Sequence, residues 1–189
     1  NYGVKPEVKS STDMGLGTNL IYQQIPSRAV PYRDILIKYL KELNPCVDEY
    51  LEKYPEAGEH SFQLEESINI QHYEPGQGFL KNHCERSGPE APNNTRHLVF
   101  MTFLNTVNDG GGTEFKHHDI IYKAEEGKTI IWPTDWTHTH RGIISNTEHK
   151  YIMTGWYSFC SEFWAPRPLE EDQLILDLGL STPGVEIMA

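Results

Sequence analysis

The residues of this sequence that most clearly suggest chemistry are a histidine and a glutamate two positions apart, His83 and Glu85. In a β-strand, residues i and i+2 project from the same face, so an imidazole and a carboxylate at this spacing can bind one metal ion. The pair alone is weak evidence, because the same spacing also occurs on ordinary polar surfaces. Whether His83 and Glu85 form a metal site depends on the residues that follow them in the chain.

Two further histidines, His138 and His140, lie downstream and share the parity of a single strand face. Two imidazoles and one carboxylate are the donor set of non-haem Fe(II) oxygenases, which leave coordination positions open for other ligands. Lys150 follows His140 by ten residues, a spacing that suits the next antiparallel strand. There its ammonium group would meet the far carboxylate of a co-substrate bound to the metal.

Composition limits the classes of protein to which the chain can belong. It has 189 residues with 16 Lys and Arg against 27 Asp and Glu, so its formal net charge is −11. One domain, 1–189, is expected for this length, and an acidic chain lacks the basic face that nucleic acids require. No apolar run approaches the ~20 residues of a membrane helix, and the first residues, NYGVKPEVKSS, have no apolar region typical of a secretory leader. Three sparse cysteines favour a reducing compartment, so we expect a cytoplasmic protein with no nucleic-acid or membrane partner.

The ends of the chain are predicted to differ from its centre. Residues 1–65 carry the helical patterns and are expected to form an N-terminal support region. Helices are predicted at 33–43 and 46–54, separated at Pro45 because proline can begin a helix but not continue one. Residues 161–189 are expected to form a C-terminal tail with a short helical turn within 169–177.

Residues 66–160 have the composition of a β-sheet core, with short apolar or alternating runs between clusters of Gly, Pro, Asn and Asp. No long helix separates these runs, so an antiparallel sandwich or jelly roll is expected rather than a parallel sheet. The run from Leu98 to Leu104 is apolar on both faces, which predicts a central strand. The predicted strands are 66–73, 96–105, 128–133 and 150–159.

The motifs in this core occur in an order that resembles the iron- and 2-oxoglutarate-dependent oxygenases of the prolyl 4-hydroxylase type. The resemblance implies a mostly β fold with N-terminal helices, a double-stranded β-helix (jelly roll, cupin-like) with iron at one open end. The matching residues are Tyr73, Gly76, Phe79, His83, Glu85, the strand 96–105, Gly111 to Phe115, Ile131 to Pro133, His140, Lys150, Tyr151, Thr154 and Trp156.

The resemblance also implies roles for individual residues. His83, Glu85 and a distal histidine would hold Fe(II), Lys150 would pair with the C5 carboxylate of 2-oxoglutarate, and Tyr73 and Thr154 would line the co-substrate pocket. The ten-residue spacing to Lys150 favours His140 as the distal ligand, with His138 as the alternative.

The activity implied is hydroxylation of an unactivated C–H bond, coupled to decarboxylation of 2-oxoglutarate to succinate and CO2. Fe(II), 2-oxoglutarate and O2 would be required, with ascorbate in support. The first expected substrate is a prolyl residue in a protein or peptide, and free amino acids are the second class.

The sequence departs from the family pattern at two positions that bear on this site. Glu85 stands where aspartate is usual, so the longer side chain must start from a backbone set further back. Phe103 stands where many relatives have a tyrosine that supports the far carboxylate of the co-substrate, which leaves more of that task to Lys150 and Thr154.

Two other interpretations remain open from the sequence. A cupin-like metal enzyme that does not use 2-oxoglutarate would keep the metal ligands but have no use for Lys150 with Thr154. A non-catalytic β-sandwich binding module would need neither set. A second metal-like motif, His117-His118-Asp119, follows Phe115, and we expect it to form a solvated turn.

Overall fold

The computed structural model describes residues 8–22, 26–160 and 185–187. These residues form two β-sheets and two α-helices, α1 (Asn19–Tyr22) and α2 (Val30–Lys53), with 3-10 helices at Ser27–Ala29, Pro55–Gly58 and Trp136–His138. The strands are β1 (Thr12–Leu16), β2 (Phe62–Leu64), β3 (Ile68–Tyr73), β4 (Arg96–Phe103), β5 (Thr113–Phe115), β6 (Ile120–Tyr122), β7 (Thr129–Pro133), β8 (His140–Gly142), β9 (Lys150–Phe159) and β10 (Val185–Ile187).

The larger sheet contains the four strands that the sequence predicts, as β3, β4, β7 and β9. Its order is β1-β3-β9-β4-β7-β10, with β2 also paired to β9, and every pair is antiparallel except β10 with β7. The central strand β9 places Lys150 opposite Tyr73 on β3 and Trp156 opposite Val99 on β4. This register determines which side chains of β3 and β4 lie beside each side chain of β9.

The smaller sheet, in the order β6-β5-β8, packs across the inner face of the larger one. Phe115 and Tyr122 of the smaller sheet join Val99, Ile130 and Trp132 of the larger sheet in one buried cluster. Two antiparallel sheets that enclose a common core are the jelly roll expected from the strand pattern. The predicted fold class, mostly β with N-terminal helices, is confirmed.

Strand β4 is buried on both faces, as its sequence predicts. Leu98 and Phe100 point towards α2, where they pack with Leu36 and Leu43. The alternate residues of β4, including Val99 and Phe103, point into the space between the sheets. Because successive strand residues face opposite sides, a strand covered by a helix and by a second sheet must be apolar throughout.

The helical region differs from the prediction at Pro45, where one helix was expected to end and another to begin. Instead α2 runs without interruption from Val30 to Lys53, with the exposed Pro45 inside it. Proline removes one backbone donor and costs roughly 3 kcal/mol in a helix interior. The apolar stripe is buried on both sides of it, at Leu36 and Leu43 before and at Val47 and Tyr50 after, and burial of each such side chain contributes about 1.5–3 kcal/mol.

The predicted N-terminal region is not purely helical, because β1 and β2 lie within 1–65 and join the larger sheet. Both are short and carry polar or glycine residues, so their sequences lack a strand pattern, and backbone pairing with β3 and β9 makes them strands. Most of the predicted tail, including 169–177, lies outside the described residues. No helix among the described residues is long and apolar enough to cross a membrane.

Candidate metal centre

The backbones of His83 and His140 are joined directly across the open end of the jelly roll. The amide of His83 donates to the His140 carbonyl at 3.0 Å, and the amide of His140 donates to the His83 carbonyl at 2.9 Å. His83 lies in the segment after β3, whereas His140 begins β8. This short antiparallel bridge places the two imidazole rings 4.4 Å apart between centroids.

Glu85 completes a compact group with these two histidines. Its Oε1 lies 3.4 Å from Nε2 of His83 and 3.4 Å from Nε2 of His140. One donor atom from each of the three residues lies within 4.8 Å of the other two, and this is the only group of three possible metal ligands in the part of the chain that the structure describes. Three donors on one side leave the opposite side of an octahedral ion open.

Backbone carbonyls orient both imidazoles towards Glu85. Nδ1 of His83 donates to the Lys81 carbonyl at 2.8 Å, and Nδ1 of His140 donates to the His138 carbonyl at 2.9 Å. A carbonyl only accepts, so the proton of each neutral ring is on Nδ1 and the lone pair is on Nε2. Second contacts of this kind fix the tautomer that a metal-binding histidine needs.

The Glu85 carboxyl is held in its charged form. Burial by itself raises its pKa, but in the metal-free site an imidazole of His140 or His83 that also carries a proton on Nε2 would donate to the carboxylate, and these hydrogen bonds and charges outweigh the cost of burial and hold the pKa well below its usual range. A carboxylate that is already ionised binds a cation without first releasing a proton.

His138 lies apart from this group, although its strand parity allowed it as an alternative ligand. It ends the 3-10 helix Trp136–His138, so the two-residue strand spacing from His140 does not apply there. Its ring packs against His118, with centroids 4.6 Å apart. Burial, followed by the charges of His118 and His140, lowers the pKa of His138 to about 4.

The motif His117-His118-Asp119 forms a turn between β5 and β6, as predicted. Asp119 has a φ of 53°, the left-handed conformation that aspartate tolerates in turns. The His118 ring of this motif lies against the His138 ring.

Lys150 lies between the two sheets and is 5% exposed. Its Nζ is 4.6 Å from the centroid of the Tyr73 ring, and a Cβ built on Gly142 would lie 3.6 Å from the same atom. The ammonium therefore lies beside Gly142 of β8, which is two residues after His140. It forms no ion pair with any acidic side chain in residues 8–22 or 26–160, and burial lowers its pKa to about 8.

The other residues predicted to line this pocket have internal partners. The Tyr73 hydroxyl donates to Oε1 of Gln71 at 2.6 Å, and burial raises the Tyr73 pKa well above its usual range. Thr154 is on the Lys150 face of β9, and its hydroxyl donates to the Phe100 carbonyl at 2.8 Å. Phe103 is fully buried in the inner core.

Sequence reasoning missed an ion pair that braces the site. Arg86, the residue after Glu85, makes three hydrogen bonds of 2.6–2.9 Å to the Asp135 carboxylate. The Arg86 amide also donates to the Thr134 carbonyl at 3.0 Å. These contacts tie the loop that carries Glu85 to the loop that leads to His140. Nothing in the local sequence joins positions 49 residues apart.

The matched family agrees with this geometry. Residues 68–158, close to half of the chain, match the 2OG-Fe(II) oxygenase superfamily. Oxygenases of this superfamily use Fe(II), 2-oxoglutarate and O2, and the donor set of two histidines and one glutamate fits iron. No curated protein sequence matches the chain.

Solved structures with the same fold include several prolyl hydroxylases. The viral collagen prolyl hydroxylase of Paramecium Bursaria Chlorella virus-1, in its 2OG complex, has a TM-score of 0.57 and 16% identity over 84% of this chain and 83% of its own. A Pseudomonas putida prolyl-4-hydroxylase has a TM-score of 0.54 and 16% identity over 85% and 77%. A Trichoplax adhaerens prolyl hydroxylase, in complex with a hypoxia inducible factor oxygen degradation domain peptide fragment, has a TM-score of 0.54 and 15% identity over 82% and 66%.

These likenesses confirm the resemblance that the sequence motifs predict. The chain resembles the prolyl 4-hydroxylase type of 2OG-Fe(II) oxygenases, and the matched residues 68–158 support a 2-oxoglutarate-dependent dioxygenase.

Proposed function

We propose that this chain hydroxylates an unactivated C–H bond, with a prolyl residue of a protein or peptide as the first substrate to test. In this proposal His83, Glu85 and His140 hold Fe(II). Lys150 pairs with the C5 carboxylate of 2-oxoglutarate in a pocket that Tyr73 and Thr154 line.

The observation that carries the proposal is the buried Lys150 ammonium. Burial of an unpaired charge is costly, so such a group is usually paired or serves a ligand. Lys150 begins β9 and lies between the sheets beside β8, the strand that His140 begins, and no acidic partner occurs among the described residues. A dicarboxylate that reached from the metal centre to this ammonium would supply the missing counter-charge.

The chain's own residues would bind and orient the reactants. When bound, the iron would supply the oxidative decarboxylation of 2-oxoglutarate that is coupled to C–H hydroxylation. Glu85 and the two imidazoles would hold the ion from one side. Lys150 would fix the far end of the co-substrate, while the apolar residues between the sheets, Val99 and Ile152 among them, would exclude water from the pocket.

The substrate proposal rests on the activities of the structural neighbours and on the net charge of the chain. Three of them are prolyl hydroxylases, one of which is in complex with a peptide fragment. A net charge of −11 favours a basic partner at long range. A peptide with a proline and flanking basic residues is therefore the preferred probe, followed by free amino acids.

The test is succinate formation from 2-oxoglutarate with Fe(II), O2 and ascorbate, first without and then with candidate peptides. We expect slow uncoupled turnover by the parent and faster turnover with an accepted peptide. His83→Ala should abolish both rates, whereas Lys123→Met, which removes an exposed lysine, should leave them unchanged.

Each remaining outcome contradicts part of the proposal. Absence of succinate from an iron-loaded parent would contradict 2-oxoglutarate use and favour a cupin-like enzyme or a binding module. Uncoupled turnover that no prolyl peptide accelerates, but that an amino acid does, would contradict the prolyl substrate alone.

A further inference from the structure

The two oxygens of the Glu85 carboxylate have different surroundings. Oε1 faces Nε2 of His83 and of His140 at 3.4 Å each. Oε2 accepts a hydrogen bond of 2.9 Å from Nε1 of Trp156 and lies 3.5 Å from Nη1 of Arg96. One oxygen is thus turned to the metal centre, while the other is held by two donors from β9 and β4.

Arg96 is itself fixed in place. Its Nε and Nη2 donate to the two carboxylate oxygens of Glu66 at 2.7 and 2.6 Å, and Nη1 lies 3.3 Å from the Glu85 carbonyl. Its guanidinium stacks 3.9 Å above the Trp156 ring. Arg96, Glu66 and Trp156 are therefore joined in one assembly that presents the Trp156 N–H and the Arg96 guanidinium to Oε2.

Constraint of this carboxylate has a chemical consequence. A carboxylate can bind a metal ion through one oxygen or through both. If Glu85 bound through both, it would occupy one of the positions that the co-substrate and O2 need on the open side of the ion. Glutamate has one more rotatable bond than the usual aspartate, so its side chain needs more constraint to present a single oxygen.

We propose that Trp156 and Arg96 are positioning residues that keep Glu85 a one-oxygen ligand and so preserve the open coordination positions. The inference rests on the proposed assignment of Glu85 as a metal ligand. The Trp156 N–H competes with the metal ion for Oε2, and the positive charge of Arg96 attracts the same oxygen. Glu66 holds the Arg96 guanidinium in this position.

The test counts the waters bound to Mn(II), used in place of Fe(II), by water-proton relaxation in the absence of 2-oxoglutarate. Trp156→Phe keeps the ring and removes the N–H. We expect it to lose one metal-bound water relative to the parent while its Mn(II) affinity is equal or higher. Its anaerobic affinity for 2-oxoglutarate should fall by roughly 10–100-fold, the usual size of effect for contacts behind a metal ligand.

Two control variants test whether a change in the water count comes from the Trp156 contact with Glu85. Trp136→Phe removes the same N–H from an indole that is 71% exposed, and it should behave as the parent. Glu85→Asp withdraws the carboxylate by one methylene, which should take it out of hydrogen-bond reach of Trp156, so we expect that adding Trp156→Phe in this background changes the water count no further.

Specific results would overturn the proposal. Trp156→Phe with the parent's water count contradicts it, as does a loss of Mn(II) affinity without a change in water count, since that shows only structural support. If circular dichroism shows that Trp156→Phe is unfolded, Arg96→Gln decides, and an unchanged count there also contradicts the proposal. Failure of the parent to bind 2-oxoglutarate would contradict the proposed function instead, because the water count needs no co-substrate.

Discussion

Replacement of Lys150 by methionine should stabilise the folded protein while it removes co-substrate binding. Lys150 is 5% exposed, its Nζ lies 4.6 Å from the centroid of the Tyr73 ring, and it has no acidic partner among the described residues. Methionine keeps an unbranched side chain of similar length in the same space. The change therefore removes the buried charge with little change in packing.

The pKa of Lys150 gives the size of the effect. Burial lowers it from 10.5 to about 8, and each pKa unit corresponds to about 1.4 kcal/mol, so the buried ammonium costs ~3 kcal/mol at pH 7. Loss of the contact between the ammonium and the Tyr73 ring offsets about 0.5–1 kcal/mol of this gain in stability. We expect Lys150→Met to raise the free energy of unfolding by ~2 kcal/mol, or Tm by ~4–8 °C for a chain of this length.

The pH dependence follows from the direction of the shift. Between pH 8 and pH 10.5 the unfolded chain binds a proton on Lys150 that the folded chain has released. The parent's stability therefore rises with pH across this window. The advantage of Lys150→Met should be full below pH 8 and should disappear as the pH approaches 10.5.

The assay is urea unfolding of metal-free parent and variant without 2-oxoglutarate, at pH 7 and near pH 10, with Lys123→Met as the control for loss of an exposed lysine. Separately, 2-oxoglutarate binding to the iron-loaded protein should weaken by ~10–150-fold, the effect of losing a charge-assisted contact of roughly 1.5–3 kcal/mol. A variant less stable than the parent at pH 7, or one whose advantage persists unchanged near pH 10, would contradict the assignment of Lys150 as a buried, unpaired charge.

Three further predictions concern the metal ligands and the helix. His83→Ala should abolish binding of one Fe(II) per chain in an anaerobic titration, because two donors compete poorly with water; binding like the parent's would contradict the ligand assignment. His140→Ala should lose iron whereas His138→Ala should retain it, because His140 and not His138 belongs to the group with Glu85. The reverse pattern in the same titration would exclude His140 as the ligand. Pro45→Ala should raise the free energy of unfolding by ~2 kcal/mol. A proline inside a helix costs ~3 kcal/mol, and its restriction of the unfolded chain offsets up to ~1 kcal/mol of that cost. Unchanged urea unfolding would contradict the prediction that Pro45 destabilises α2.

Local sequence was sufficient to predict four strands of the larger sheet and to associate the candidate metal ligands His83 and Glu85. Short apolar or alternating runs located β3, β4, β7 and β9, because the side chains of a strand face opposite sides in turn and a strand that is covered on both faces is apolar throughout. The same two-residue period associated His83 with Glu85. Spacing to Lys150 favoured His140 over His138, and the structure brings His140 beside Glu85. Each of these inferences depends on residues close together in the chain or on a family order of motifs.

Tertiary structure decided what depends on distant residues. Pro45 lies inside a continuous helix because the apolar face of α2 packs on β4 and β7, a gain that no local propensity contains. Trp156 contacts Glu85 across 71 positions of sequence through the pairing register of β9.

Burial also belongs to the tertiary structure. The sequence shows a lysine at position 150, but only the closing of one sheet over the other removes it from water without an acidic partner. Periodicity is a property of the local backbone and can be seen in a single strand. The environment of a charge is set by every element packed around it, so it exists only once the sheets have come together.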